Sequence, residues 1–473
     1  MQGYAKPLRP YDVLPEGDLI SICDGAKRTL STAGVVFDHP RAISLFKKAG
    51  AQVDGSRVRI PSALLREVIE QTPSRVELLA RNRNHTLVMG EDRLFFSGPF
   101  GATFVRDLFT MERRRATLDD LKLCTQIADQ LENAHACLAG VIPHDVPPQF
   151  DDLYSAATVL QHTSKHVNIR VSGAENSQAI IEMAQIASDG PPCFSLGTGP
   201  ISPLTYPGPD LEKLIYGVER GIPYRIVVTP LGGATAPVTL AGCLTLAIAE
   251  LLAGIVLIQL VRPGAPALCG SFAGVMDMRT GAHLLGAPET AILSCGVAQV
   301  CRHYRLPFGY ATGGLTEATE PGSRAAVEKT QTLLAPALAA ADLVHDGASG
   351  LLETGNLVDY RQMLIDNERC SVVGRMAEGI RVTEESLAVE LINDLGLEGT
   401  FLTHPHTAKH LRSELYLSRF WENTGESEED LLEELAEQAR KMAQHECTHP
   451  LTPKQVQNIS AVLEQRVKAG SKG

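Results

Sequence analysis

Six glycine-rich stretches carry the chain's best candidates for chemistry. They read Ser97-Gly98-Pro99-Phe100-Gly101, Gly197-Thr198-Gly199-Pro200, Thr229-Pro230-Leu231-Gly232-Gly233, Gly270-Ser271-Phe272, Ala311-Thr312-Gly313-Gly314 and His345-Asp346-Gly347-Ala348-Ser349-Gly350. Glycine at such positions gives backbone amides and space, which suits a phosphate cradle or an open cavity that admits something large above a small substrate. Glycine also serves tight turns, so the stretches alone do not separate these uses. His345 is the histidine that stands at the end of an expected strand, where an imidazole could donate or accept near neutral pH or simply be a satisfied core residue. Asn168 and Arg170 alternate on another expected strand, so both could point to the same side.

The same positions are informative for what they lack. No expected strand end carries a lysine, and Lys165 precedes its strand, so a Schiff-base nucleophile has no candidate. No His-x-His pair with a carboxylate set occurs early in the chain, which speaks against a metal-dependent hydrolase. No pair of strand-end carboxylates offers the acid and base of a glycosidase, although Asp277 and Glu317 lie in nearby loops. His404, His406 and His410 cluster without a carboxylate or cysteine to complete a ligand set, and a structural role is expected.

These stretches follow short β-branched or small-residue runs and precede amphipathic helices. Expected strands are Leu94 to Ser97, Ala136 to Ile142, His166 to Val171, Cys193 to Gly197, Tyr224 to Thr229, Ala267 to Ser271, Phe308 to Thr312 and Leu343 to Asp346. Helices are expected over Thr117 to Leu131, Asp210 to Arg220, Pro237 to Leu260, Pro288 to Tyr304 and Gly322 to Ala341, several opened by a capping pattern or by Pro followed by an acid. Eight strand-then-helix repeats predict an α/β fold, a (β/α)8 TIM barrel over residues 94–380, with catalytic groups at the strands' C-terminal ends. Residues 1–93 read as an N-terminal α+β extension, with helices over Leu19 to Ala33 and Pro61 to Gln71 and an Asp54-Gly55 hairpin turn. Residues 381–473 form a C-terminal helical region, in which the acidic run Glu426 to Glu446 reads as a surface or subunit-contact helix.

Composition narrows the class. The 473 residues carry 43 Lys+Arg against 55 Asp+Glu, a net charge of −12, so nucleic acid is not an expected partner. A hydrophobic fraction of 44% and a charged fraction of 21% are those of a globular protein with ample core. The ten cysteines have no Cys-x-x-Cys pair, and free thiols in a reducing cytoplasm are expected, with no secretory signal at the start. The uncharged segment Ile226 to Ala249 is broken by Pro230, Gly232, Gly233 and Pro237, which predicts a buried strand, loop and helix rather than a membrane span.

Four spaced motifs carry a resemblance. Gly199-Pro200-Ile201-Ser202-Pro203-Leu204, Gly233-Ala234-Thr235-Ala236-Pro237-Val238-Thr239-Leu240-Ala241-Gly242, Gly313-Gly314-Leu315-Thr316 and His406-Thr407-Ala408-Lys409-His410-Leu411-Arg412-Ser413-Glu414-Leu415-Tyr416 together resemble the trimethylamine:corrinoid methyltransferase family over nearly the whole chain. The resemblance implies a barrel that moves a methyl group from an amine to the cobalt(I) of a corrinoid carried by a separate protein, with no bound metal of its own. The archaeal branch carries pyrrolysine in a stretch matched here by Ser349-Gly350-Leu351-Leu352, which has neither that residue nor a lysine. The chain therefore resembles the non-pyrrolysine branch, which uses quaternary amines such as glycine betaine, proline betaine, carnitine or γ-butyrobetaine.

On this resemblance no catalytic acid or base is required, because a quaternary ammonium leaves as a neutral amine. Phe96, Phe100 and Phe272 are the aromatic candidates for the cation, His345 is the candidate donor to a carboxylate, and Asn168, Arg170, Thr229 and Thr312 are further substrate contacts. Gly199, Gly233, Gly313, Gly314 and Gly350 would leave room for the corrin ring. Gly199 and Gly309 stand where the glycine betaine relatives have Asn and Arg, which implies a larger or differently oriented betaine. Expected partners are a corrinoid protein, for which Arg113-Arg114-Arg115 is one place to dock, and further copies of the chain in a homo-oligomer. A non-catalytic barrel that senses or scaffolds, and a phosphate-substrate barrel enzyme, stay open beside the methyltransferase.

Overall fold

A computed structural model describes residues 3–171, 174–397, 399–418 and 427–470. Eight strands alternate with eight helices. The strands are β1 (Arg93–Phe96), β2 (Ala136–Leu138), β3 (His166–Asn168), β4 (Phe194–Thr198), β5 (Tyr224–Val228), β6 (Ala267–Ser271), β7 (Phe308–Thr312) and β8 (Leu343–His345). The helices that follow them are α1 (Leu118–Gln130), α2 (Asp151–His162), α3 (Ala174–Ser188), α4 (Gly208–Glu219), α5 (Leu240–Val261), α6 (Pro288–Tyr304), α7 (Ser323–Leu338) and α8 (Tyr360–Glu378). All eight strands are parallel, paired from β2 through to β8 and then β1, and Tyr4–Ala5 adds a ninth, antiparallel strand on β1. The sheet curls until β1 and β2 meet: Ser97 bridges Ala136, the His135 N–H donates to the Phe96 carbonyl at 2.9 Å, and the Gly98 N–H donates to that of Ala136 at 3.1 Å.

Several expected strands end early. β2 and β3 stop at Leu138 and Asn168, short of Ile142 and Val171, and β8 stops at His345 because Asp346 turns to φ 59°. Helix α5 begins at Leu240 rather than Pro237, since the N–H groups of Ala234, Thr235 and Ala236 all fold back onto the Leu231 carbonyl. By length and composition α5 could cross a membrane, yet it is mostly buried, with the N-terminal helix Glu16–Thr32 packed along it and Gly25 beside Thr245. The Asp54-Gly55 hairpin forms as expected between Gln52–Asp54 and Arg57–Arg59, and its partner strand Val35–Phe37 also pairs with Thr205–Tyr206 in the β4–α4 loop. A second hairpin, Val76–Leu78 with Leu87–Met89, was not legible in the sequence. Its apolar residues cluster with Phe95, Ala136, Leu268 and Leu343 and close the sheet near the strands' N-terminal ends. The acidic run folds as helix Glu428–Met442, capped by Ser427 and Asp430, with Leu435, Ala436 and Ala439 buried; Glu426 lies outside the described residues.

The loop between β4 and α4 hangs on one carboxyl. Glu250, fully buried on α5, accepts from the Ser202 hydroxyl and the Leu204 N–H, both at 2.8 Å, while its carbonyl accepts from the Tyr206 hydroxyl at 2.8 Å. Burial raises its pKa from 4.5 to about 7, so the folded chain holds a proton that the unfolded chain has released. Stability therefore falls as pH rises between those values, by roughly 2–4 kcal/mol. Glu250→Gln keeps an acceptor for Leu204 and cannot ionise. Its urea midpoint is expected to change less than that of the wild type between pH 5 and pH 8; equal changes would show that Glu250 does not set the dependence.

Candidate functional site

Parallel strands bring all their C-terminal ends to one face, and alternation turns every second side chain inward. Near that face four rings converge. The Tyr310 ring on β7 lies against His345 on β8, with centroids 3.5 Å apart and planes inclined by 30°. Phe272, just after β6, stands 5.8 Å from His345 and 5.3 Å from Tyr310, and Phe100, after β1, meets His345 edge-on at 5.9 Å. Tyr310 and His345 are buried, Phe100 and Phe272 half-buried, and Thr229 at the end of β5 exposed, so the group is approached from the strands' C-terminal side.

Two glycines make this arrangement sterically possible. A Cβ at Gly197 would lie 2.8 Å from both Cγ and Nε of Arg225, and one at Gly270 would lie 2.9 Å from the Tyr310 Cβ. The β6–β7 register also slips, so that Cys269 faces Phe308 while Gly270 faces Tyr310, skipping Gly309. The Arg225 guanidinium then rests 4.5 Å over the Tyr310 ring.

A chain of side-chain hydrogen bonds fixes the opposite edge. His166 Nδ1 faces the Leu79 carbonyl at 2.8 Å, so it carries the proton, and Nε2 accepts from the Ser195 hydroxyl at 2.8 Å. Burial lowers the His166 pKa to about 4, which keeps the ring neutral as this pattern requires. Ser195 Oγ in turn accepts from the Asn168 amide at 3.0 Å, and Asn168 Oδ1 accepts from Arg225. Burial lowers the Arg225 pKa to about 10, still a cation at neutral pH. Its Nε has no hydrogen-bond partner.

His345 has unused capacity as well. Its Nδ1 lies 2.7 Å from an Asp346 carboxylate oxygen without the alignment of a hydrogen bond, and its Nε2 has no partner. Burial pulls its pKa below the ordinary 6.5 against the opposing charge of Asp346. The neutral ring is thus favoured, with a nitrogen free to donate or accept.

Of the candidates read from the sequence, His345, Phe100 and Phe272 meet in this group, and Asn168 joins it through Arg225. Thr312 ties β7 to β6 by donating to the Ser271 carbonyl. Phe96 is not brought there: it is buried against Tyr4 and His135, at 6.0 and 6.2 Å. Arg170 pairs instead with Asp151 at the start of α2. The glycines Gly199, Gly313, Gly314 and Gly350 lie so close to the backbone of Val227, Thr332, Asp346 and Asp359 that close packing accounts for them, and Gly233 sits at positive φ beside Met278. Arg113 and Arg114 are engaged by Glu353, Asp107 and Asp120, which leaves little free charge in the basic triplet. Lys165 donates to the carbonyls of Ala128 and Leu131, and His404 caps the helix Pro405–Glu414. No cluster of three or more potential metal ligands occurs among the described residues. Sequence reasoning missed Arg225 and Tyr310, although a charge in the apolar run Tyr224-Arg225-Ile226-Val227-Val228 is the kind of signal that marks an inward site.

The family model described as MTTB, trimethylamine methyltransferase, matches residues 1–469. The trimethylamine methyltransferase MttB of Desulfitobacterium hafniense (strain DSM 10664 / DCB-2) is 32% identical over 95% of this chain and 92% of its own length. The glycine betaine methyltransferase of Desulfitobacterium hafniense (strain Y51) is 30% identical over 86% of each chain, and MttB of Methanosarcina thermophila is 31% identical over 82% and 83%. The crystal structure of the Methanosarcina barkeri monomethylamine methyltransferase MtmB superposes with a TM-score of 0.50 at 11% identity, over 90% of this chain and 93% of that one, a likeness of fold alone. With neither pyrrolysine nor lysine in Ser349-Gly350-Leu351-Leu352, the chain belongs to the trimethylamine methyltransferase (MTTB) family, in its non-pyrrolysine branch.

Proposed function

We propose that this chain transfers a methyl group from a quaternary amine of the betaine type to the cobalt(I) of a corrinoid held by a partner protein. We read the curled sheet as a complete (β/α)8 barrel, with residues 1–93 and 381–473 as additions at its two ends; the Ser97–Ala136 bridge supports this. The observation that carries the functional reading is the ring cluster of Tyr310, Phe272, Phe100 and His345 at the strands' C-terminal face. Aromatic faces attract a quaternary ammonium, which forms no hydrogen bonds of its own. Relatives whose names specify trimethylamine and glycine betaine support the methyl donor class.

The chemistry asks little of the protein beyond position. The cobalt(I) of the acceptor would supply the electron pair of the new bond to the methyl carbon and so become cobalt(III), while the C–N bond breaks and its pair stays on nitrogen, so a neutral tertiary amine departs and no proton has to be supplied. The rings hold the cation with one methyl turned outward, and the His345 nitrogen without a partner is placed to meet a carboxylate. The approach of a corrinoid partner is supported by Ile201, Val238 and Met278, exposed on the loops after β4, β5 and β6. Gly309, where the glycine betaine relatives have a polar residue, favours a larger or differently oriented betaine, such as proline betaine, whereas Gly199 is accounted for by its packing against Val227. A cytoplasmic setting is supported by ten unpaired cysteines, and a homo-oligomer by apolar side chains exposed on the segment from Ile380 to Leu417.

The direct test is anaerobic incubation with cobalt(I) cobalamin and N-methyl-labelled betaines, with the demethylated amine followed by NMR. One betaine is expected to yield its tertiary amine while trimethylamine is unchanged; binding without transfer would favour a sensor instead. His345→Ala is expected to raise KM for that betaine about 10- to 100-fold, the worth of one hydrogen bond to a charged group, with a smaller effect on kcat. Equal KM values would remove His345 from the carboxylate site. Light scattering of the purified protein is expected to give a mass above one chain, and a monomer would contradict the oligomer.

A further inference from the structure

The other buried cations of the described residues have their donors engaged. Lys329 meets Asp366 at 2.9 Å, Lys213 meets Asp210 at 2.5 Å, and Lys165, with no carboxylate, donates to the carbonyls of Ala128 and Leu131 at 2.8 and 2.7 Å. Arg225 is different. It lies inside the curled sheet with 8% of its surface exposed, and among the described residues no carboxylate reaches ion-pair distance of it; the buried Asp346 acts on it only from further away. Its contacts are one amide oxygen, that of Asn168, and one aromatic face, that of Tyr310; its Nε has no partner. A guanidinium is a planar fork with five donors, and this one is left largely unspent where water is scarce.

Its surroundings look built to present it. The chain His166–Ser195–Asn168 orients the amide oxygen that holds one Nη, and Gly197 clears the space into which the side chain extends. Tyr310 brings Arg225 and His345 together, since one lies 4.5 Å and the other 3.5 Å from its ring centroid, so the two lie within about 8 Å of one another. The buried end of the site thus holds the Arg225 guanidinium, with the Asp346 carboxylate drawn onto His345 Nδ1, while its outer end, at Phe100 and Phe272, is aromatic and half-exposed.

We infer that Arg225 is the anion anchor of the site, taking the carboxylate of a zwitterionic quaternary amine whose ammonium faces Phe100 and Phe272. This rests on the betaine reading above and adds to it the residue that holds the buried end of the carboxylate. The carboxylate points inward and the methyl groups outward, toward the side from which an acceptor must approach.

The test uses the full-length protein and calorimetric titration with glycine betaine, proline betaine, carnitine and γ-butyrobetaine, each beside its carboxamide, and with tetramethylammonium. In the wild type at least one betaine is expected to bind 10-fold or more tightly than its carboxamide. Equal binding of every pair, or no binding of any betaine, overturns the inference without recourse to a variant. Arg225→Gln, which can keep the Asn168 contact, is expected to lose that preference while tetramethylammonium binds as before, and Arg225→Lys is expected to restore part of it. A folded Arg225→Gln protein that binds the betaine as the wild type does, or weakens toward all cations alike, overturns it as well. Selective betaine binding with no methyl transfer to cobalt(I) would end the methyltransferase reading and leave the anchor standing.

Discussion

The interior of a curled parallel sheet has to be filled, and here it is filled unequally along its length. Near the strands' N-terminal ends, Phe95, Ala136, Leu268 and Leu343 close it with the hairpin Val76–Leu78 and Leu87–Met89. One level up, glycine at positions 197 and 270 removes two side chains from the wall, and Arg225 and Tyr310 occupy that volume. Everything distinctive about the candidate site follows from this exchange of wall for guest. The stack of His345 on Tyr310, the guanidinium over the same ring and the flanking phenylalanines all require the room the two glycines leave.

A site of this kind depends on loops that do not shift, and buried polar anchors hold two of them from outside. Glu250 fixes the loop after β4 through Ser202 and Leu204. The loop after β8 is held by Asp366, which accepts from the Gly350 N–H at 2.9 Å and pairs with Lys329, itself bonded to the Leu351 carbonyl at 2.7 Å. Buried pairs like this contribute little net stability compared with apolar packing, but removing one partner leaves a costly charge. Their effect is to specify one loop position, directly behind His345 and Asp346.

The repeat of strand and helix was plain in the sequence because each level of signal agreed. Thr117 and Asp120 cap α1 as their spacing suggests, and β6 and β7 have the bounds that Ala267–Ser271 and Phe308–Thr312 imply. Strand ends were less legible, since φ at Asp346 and the turn onto Leu231 depend on local hydrogen bonds rather than on hydropathy. Facing was harder still. Phe95 and Phe96 are both apolar, and alternation does not reveal that Phe96 is the one turned toward Tyr4. Arg225 and Tyr310 are hard to read for a different reason: they lie below the strand ends, and their reach depends on the absence of side chains on neighbouring strands. In the sequence the glycines read as loop formers, whereas Gly197 and Gly270 act as vacancies in the wall.

The claim on which the account turns is the place and direction of the substrate, and a crystal structure of the protein with its tightest-binding betaine tests it most directly. The account predicts the ammonium within about 6 Å of the Phe100 and Phe272 rings, the carboxylate on the side of Arg225 and His345, and a methyl group facing outward from the strands' C-terminal ends. A betaine bound elsewhere, or one whose carboxylate faces solvent with Arg225 untouched, would contradict it.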